Sequence, residues 1–137
     1  MKDRASNLGR IVPLRKRWVA TFEFDYRATP EVNASRFGHW SASSAKRKRD
    51  REAVFFAWYK AGRPRPPGRA VLVTFTRISP RALDDDNLSN AFKAMRDELA
   101  KILGQDDGPR STLRWAYTQE KGPPKTHRVR VELEAWV

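Results

Sequence analysis

Apolar positions along this chain repeat with two different periods, and the switches between them mark its elements. From Trp18 to Tyr26 they alternate: Trp18, Ala20, Phe22, Phe24 and Tyr26 share one side, with Val19, Thr21, Glu23 and Asp25 on the other. Side chains of an extended strand point alternately to its two faces, so residues 17–26 are expected to form a half-buried strand. Residues 70–78 alternate too, but Val71, Val73 and Phe75 stand opposite Leu72, Thr74, Thr76 and Ile78, so both sides are largely apolar. That pattern belongs to a strand inside a sheet. Two further alternating runs close the chain, Leu113, Trp115 and Tyr117, then Val129, Val131, Leu133, Ala135 and Val137. Gly122, Pro123 and Pro124 are expected to make the turn between them.

Two stretches lack alternation and read as helices. Residues 42–61 carry Ser41 or Ser43 as N-cap candidates. Val54, Phe55, Phe56, Ala57, Trp58 and Tyr59 crowd the second half, so that half is expected to be the buried one. Gly62, Pro64, Pro66, Pro67 and Gly68 end this helix and form a stiff connector. In the second stretch Leu88, Phe92, Met95, Leu99 and Ile102 recur at steps of three and four, one apolar stripe of a helix. Asn90, Lys93, Asp97 and Lys101 fall on the opposite, polar face, and Gly104 stands where the helix should stop. The order is β–α–β–α–β–β. It predicts a single α+β domain over 1–137, a mixed sheet of about four strands with two main helices packed on it.

Between these elements lie a basic arm and a loop. Residues 1–16 hold Lys2, Arg4, Arg10, Arg15 and Lys16, either a phosphate-touching arm or a solvated tail. Residues 27–41 read as a loop in which Arg36, Phe37, His39 and Trp40 either meet bases or tuck rings onto the core.

Composition narrows the class. Hydrophobic residues at 39% and charged residues at 32% describe a folded globular chain rather than a disordered one. The absence of Cys excludes disulfides and Cys-ligated zinc, and two His make a His-based metal site a poor expectation. With no apolar run of membrane-spanning length and no signal-peptide pattern, a soluble, cytoplasmic protein without a membrane partner is expected. Lys and Arg number 28 against 16 acidic residues, a net charge of +12. Such a field favours a polyanion, most often nucleic acid. Lys46, Arg47, Lys48, Arg49 and Arg51 are too many for Asp50 and Glu52 alone to neutralise, so they read as phosphate contacts ahead of a solvated face, and Arg36 in the loop is a further candidate DNA contact.

Against this positive background stands an acidic cluster, Asp84-Asp85-Asp86-Asn87, at the start of the second helix. One reading is capping, since carboxylates there satisfy orphan N–H groups and complement the dipole. One such residue suffices for that. Three in a row repel each other, and the second reading is a divalent cation held by clustered oxygens. An EF-hand is excluded, because Leu88 fills its third ligand position and Ser89 stands where its Gly belongs.

This D-x-D-N at a helix start, a Lys and an Asp on the polar face and Asp106-Asp107 beyond the helix resemble the RusA-like Holliday-junction resolvases. The match covers Asp84 to Asp107 and extends loosely to the basic segment upstream and the strand pair downstream. The resemblance implies a homodimeric endonuclease that resolves branched DNA by phosphodiester hydrolysis. It implies Mg²⁺ as cofactor, with Mn²⁺ as a substitute and no small-molecule cofactor. Carried over position by position, Asp84, Asp86 and Asp107 are the metal-binding carboxylates and Asn87 supports the turn. Asp106 is a spare ligand or lies just behind the metal. The chain departs from the family at one place. The family's Lys stands three residues after the Asn, where this chain has Asn90. Lys93 is the next candidate for the catalytic Lys, one turn on. Lys93 and Asp97 keep the family's Lys-to-Asp spacing, as if the helix had gained a turn. The alternative that Asn90 supports is a structure-selective DNA-binding protein derived from a nuclease and no longer cutting.

Helix length adds a constraint. About seventeen helical residues at 1.5 Å rise separate Asp86 from Asp107 by roughly 25 Å, whereas metal ligands crowd within a few ångström of one ion. Either the chain folds back at Gly104, or Asp107 serves the site of a second subunit in an antiparallel, two-fold dimer.

Overall fold

The computed structural model describes residues 17–31, 40–105 and 112–136. Its elements are β1 (Arg17–Asp25), α1 (Trp40–Lys60), β2 (Val71–Ser79), α2 (Asp85–Ala91), α3 (Lys93–Ile102), β3 (Leu113–Lys121) and β4 (Arg128–Trp136). The strands form one mixed sheet in the order β1-β4-β2-β3. Thus the α+β class and the four-stranded mixed sheet expected from the periodicity are both present, as is the interior position of β2.

The sheet order follows from how each connection can reach. β2 and β3 are joined through α2 and α3, a crossover long enough to return the chain to the starting end, and they pair in parallel, Val71 opposite Leu113 and Ser79 opposite Lys121. β4 then pairs antiparallel to β2 on its other side and antiparallel to β1 beyond. The expected turn at Gly122, Pro123 and Pro124 therefore does not join neighbours: β3 and β4 are separated by β2. The connection runs across the end of β2, where the Gly122 N–H donates to the Ser79 carbonyl at 3.0 Å. A Cβ on Gly122 would lie 3.1 Å from Ile78 Cγ2, so this crossing is closest where no side chain exists. β4 belongs inside because Val129, Val131, Leu133 and Ala135 are all fully buried. The other side of the strand, with Arg130 and Glu132, tolerates a polar surface.

One face of the sheet carries the core. Phe22, Val73, Phe75, Val131 and Leu133 meet Val54, Trp58, Phe92, Met95 and Leu99 from the helices. The opposite face is charged. Arg130 donates to Glu120 at 2.6 Å and pairs with Glu23 at 3.7 Å, and that hydrogen bond holds the Glu120 carboxyl below its usual range.

Both helical stretches depart from expectation in ways the core explains. α1 begins at Trp40, so Ser43 lies within the helix rather than capping it. Its buried stripe is Ser43, Asp50, Val54 and Trp58, which spans the helix instead of only its second half. Asp50 is tolerated there because Tyr26 Oη and, at 2.7 Å, Lys46 Nζ donate to its carboxylate. Burial and the Asp50 carboxylate together push the Tyr26 phenol well above its ordinary range. The second stretch is not one helix but two, making three in all among the described residues. It breaks at Phe92, whose backbone (φ −105°, ψ 6°) leaves the α-helical range and whose N–H turns to Ser89 O at 3.2 Å. The Phe92 ring is fully buried and stacks on Phe75 with centroids 4.8 Å apart. The expected stripe survives the break, with Leu88, Phe92, Met95 and Leu99 all buried. Gly104 (φ 72°) stops α3 as expected: its N–H donates to Lys101 O at 3.0 Å and the Gln105 N–H to Ala100 O at 2.8 Å, the hydrogen-bond pair of a glycine C-cap. Among the described residues no helix is long and apolar enough to cross a membrane.

Truncating the Phe92 ring removes the stacking that docks the broken helix on β2. Phe92→Ala is expected to lower unfolding free energy by about 3–5 kcal/mol, whereas Phe56→Ala on the exposed side of α1 should stay within about 0.5 kcal/mol. Urea unfolding followed by circular dichroism separates the two, and equal losses would contradict this assignment of the core.

Candidate active site

The acidic cluster follows directly on the end of the central strand, and long-range hydrogen bonds hold it there. Arg77 sits on the core side of β2 and is only 5% exposed. It donates through Nε to Ala28 O at 2.9 Å and through Nη1 to Arg81 O at 2.7 Å, tying the segment after β1 to the turn after β2. Burial, with Arg27 nearby, lowers its pKa from the ordinary guanidinium value. From β3, Gln119 takes both backbone groups of Leu83: its Oε1 accepts from Leu83 N at 3.0 Å and its Nε2 donates to Leu83 O at 2.6 Å. The residue before Asp84 is thereby fixed as if it were paired in a sheet.

Asp84 is the N-cap of α2. Its Oδ1 accepts from the Asn87 N–H at 2.8 Å and its Oδ2 from Asn87 Nδ2 at 3.2 Å. Capping thus accounts for one of the three Asp, and Asn87 braces the turn. Asp85 and Asp86 lie exposed in the first turn. Asp86, Asn90, Lys93 and Asp97 follow at steps of four, three and four, which places them on one side of the helical pair. They line an open hollow of about 280 Å³ together with Ser89 and Arg96. Arg96 reaches it from a rigid floor: its Nη1 donates to Tyr117 Oη at 3.2 Å, and its guanidinium lies 5.5 Å from the Trp115 ring centroid. Those rings stack in turn on Phe75, each at 6.1 Å. Asn90 does a different job, its Oδ1 accepting from the Glu31 N–H at 2.8 Å. A larger hollow of about 400 Å³, lined by Arg81, Gln119, Glu120 and Lys121 among others, contains none of the expected site residues.

The hollow brings together two carboxylates and two cations. Carboxylate oxygens suit a hard divalent cation, and Lys and Arg suit the oxygens of a phosphate. The carboxylates of the hollow are Asp86 and Asp97; Asp84 stands outside its lining with both oxygens accepting from Asn87, and among the described residues no three Asp, Glu or His converge as a metal group. Asp106 and Asp107, like Arg36 and the basic arm, lie outside the described residues.

The basic run of α1 is partly engaged within the protein. Lys46 is bound to Asp50, Arg47 lies 3.7 Å from Glu31, and Arg51 lies 3.5 Å from Glu98. Asp50 and Glu52 are therefore not its only counter-charges, and the segment is less uniformly free for phosphate than its density suggests. Lys48 and Arg49 are exposed. Arg77, Gln119, Arg96 and Tyr117 are not among the residues that the sequence pattern points to. Arg77 alone leaves a signal, a charge at a core-face position of an otherwise apolar strand.

No family model matches the chain, and no curated protein does either. Among solved structures it is similar to an FtsZ mutant from M. jannaschii, at 15% identity and a TM-score of 0.38, over 87% of this chain and 27% of that one. The chain spans about a quarter of that structure's length, and a likeness at this level carries nothing about chemistry.

Capping and any further role of Asp84 separate by substitution. Asn keeps a cap-competent oxygen, so Asp84→Asn should unfold close to wild type, while Asp84→Ala should lose about 1 kcal/mol. Thermal melts of both variants test this, and equal stability would remove the capping role.

Proposed function

We propose that the protein is a Mg²⁺-dependent endonuclease, with Mn²⁺ as a substitute metal, that cuts branched DNA such as four-way junctions by phosphodiester hydrolysis. The observation that carries this reading is the convergence of Asp86 and Lys93 on one hollow of a chain with a net charge of +12. Asp84 and Asp86 would hold the metal, with Asp107 as the further ligand. When bound, the ion activates water and offsets phosphate charge. Lys93 takes the charge that develops on the non-bridging oxygens, with Arg96 beside it. Asn90, engaged with the Glu31 backbone, braces the site where the family has its Lys.

The same reading makes the protein a homodimer with shared sites. Gln105 is held at the start of β2, where its Nε2 donates to Arg69 O at 2.8 Å. Asp84 follows the far end of that strand, whose nine residues span roughly 30 Å. Two residues beyond Gln105 reach only about 7 Å. This favours Asp107 of the partner subunit as the third ligand of each site. A second reading, a DNA-binding protein that no longer cuts, draws its support from the structural use of Asn90.

A labelled four-way junction distinguishes the two. Discrete nicks in Mg²⁺, abolished by EDTA, are expected, whereas binding without cleavage in either Mg²⁺ or Mn²⁺ would favour the second reading. Asp86→Asn should abolish cutting with binding retained. Lys93→Ala should slow cutting by roughly two to three orders of magnitude, and Lys101→Ala should change little. Subunits carrying Asp84→Asn and Asp107→Asn, each inactive alone, should regain cutting when mixed and allowed to exchange. Persistent inactivity after exchange would place each site within one chain.

A further inference from the structure

The outward side of α1 and its C-cap carry rings that the core does not use. Val54 and Trp58 already face the sheet and α3, yet Phe56 is 58% exposed and Tyr59 is 55% exposed. These rings are ordered against each other. Phe55 meets Phe56 edge-on at 5.7 Å and stacks with Tyr59 at 6.3 Å. Cations are interleaved with them. The Arg63 guanidinium lies 5.4 Å from the Tyr59 ring centroid, and Lys60 is exposed beside it. Toward the N-terminus the exposed side of the helix continues through Glu52 to Lys48 and Arg49.

The backbone under this patch is also unusual. α1 ends with Gly62 (φ 94°) donating its N–H to Tyr59 O and Arg63 donating to Trp58 O, each near 3 Å. Arg63 itself has φ 54°. A bulky side chain in the left-handed region is uncommon, and Gly or Asn would sit there more easily. The position keeps a residue that costs backbone strain and sets a guanidinium over an exposed ring.

We propose that this ledge of Phe56, Tyr59, Lys60 and Arg63 binds unpaired nucleotides, its rings and guanidinium plane stacking on bases while its cations meet phosphates. Every base has a π-face, so aromatic side chains in a positive groove bind single strands with little regard to sequence. Guanidinium planes serve as stacking surfaces as well. A second copy of this chain is the wrong occupant on charge grounds. A two-fold contact centred on this face would bring Lys60 and Arg63 near their own copies with only Glu52, among the described residues of α1, exposed to offset the charge, whereas nucleotide phosphates complement both cations. The proposal does not depend on the cleavage reading, because it concerns binding alone.

The test is fluorescence anisotropy in EDTA, so that no cutting intervenes, with a labelled dT12 and an abasic strand of equal length. Stacking predicts that wild type binds dT12 roughly ten- to a hundredfold more tightly than the abasic strand. The double variant Phe56→Ala/Tyr59→Ala should lose that preference and keep its affinity for the abasic strand. Lys60→Ala/Arg63→Ala should weaken both strands and lower the salt slope by about 0.7 for each phosphate that is no longer neutralised. Equal binding of the two strands by wild type would overturn the proposal. So would a Phe56→Ala/Tyr59→Ala protein that keeps the preference. A wild-type dimer that becomes monomeric on loss of those rings would assign the ledge to a second copy instead.

Discussion

Phe75 and Phe92 stack with centroids 4.8 Å apart at the centre of the molecule, and the position of the candidate site follows from that contact. Phe75 lies in the interior strand, between β4 and β3. Phe92 lies at the break between α2 and α3. Burying it there turns the polar side of both short helices away from the sheet, which sets Asp86, Asn90, Lys93 and Asp97 around one hollow. The same aromatic layer extends through Trp115 and Tyr117 to Arg96, so the hollow's floor and the core are one packed body. Close-packed interiors transmit displacement. A change at Phe92 therefore moves the site as well as loosening the fold.

A second layer of control is polar. Arg77 and Gln119 spend their hydrogen bonds on backbone carbonyls and an amide of the segments around Asp84 rather than on other side chains. A buried guanidinium is costly unless its donors are satisfied. Here that requirement doubles as a positional constraint, because satisfying Arg77 fixes both Ala28 and Arg81. Carboxylates proposed to act together at a helix start need such bracing, since a displacement of an ångström weakens any shared geometry.

Strand alternation and the Leu88-to-Ile102 stripe are legible in the sequence because burial of one face imposes its period on local residues. The interior place of β2 is legible for the same reason, as both its faces are largely apolar, with Leu72 and Ile78 flanking Thr74 and Thr76 on the second. The insertion of β4 between β1 and β2 is not, because pairing partners are chosen by long-range packing and Gly122 only hints at a close crossing. Nor is the break at Phe92, which has neither Gly nor Pro to mark it and arises from a ring seeking the core. The basic run of α1 is visible, but two of its counter-charges, Glu31 and Glu98, stand far away in sequence. For the acidic cluster the sequence supports capping and metal binding alike. The structure assigns capping to Asp84 and leaves Asp86 facing the hollow beside Lys93.

Those two carboxylates, one capping and one open, carry the central claim that a divalent ion binds at the start of α2. Paramagnetic line broadening by Mn²⁺ reads this without any nucleic acid or turnover. In ¹H–¹⁵N spectra, substoichiometric Mn²⁺ should broaden the amides of Asp84 through Ser89 first, Mg²⁺ should reverse the effect competitively, and Asp86→Asn should abolish it. Broadening centred elsewhere, or unchanged in Asp86→Asn, would contradict the account.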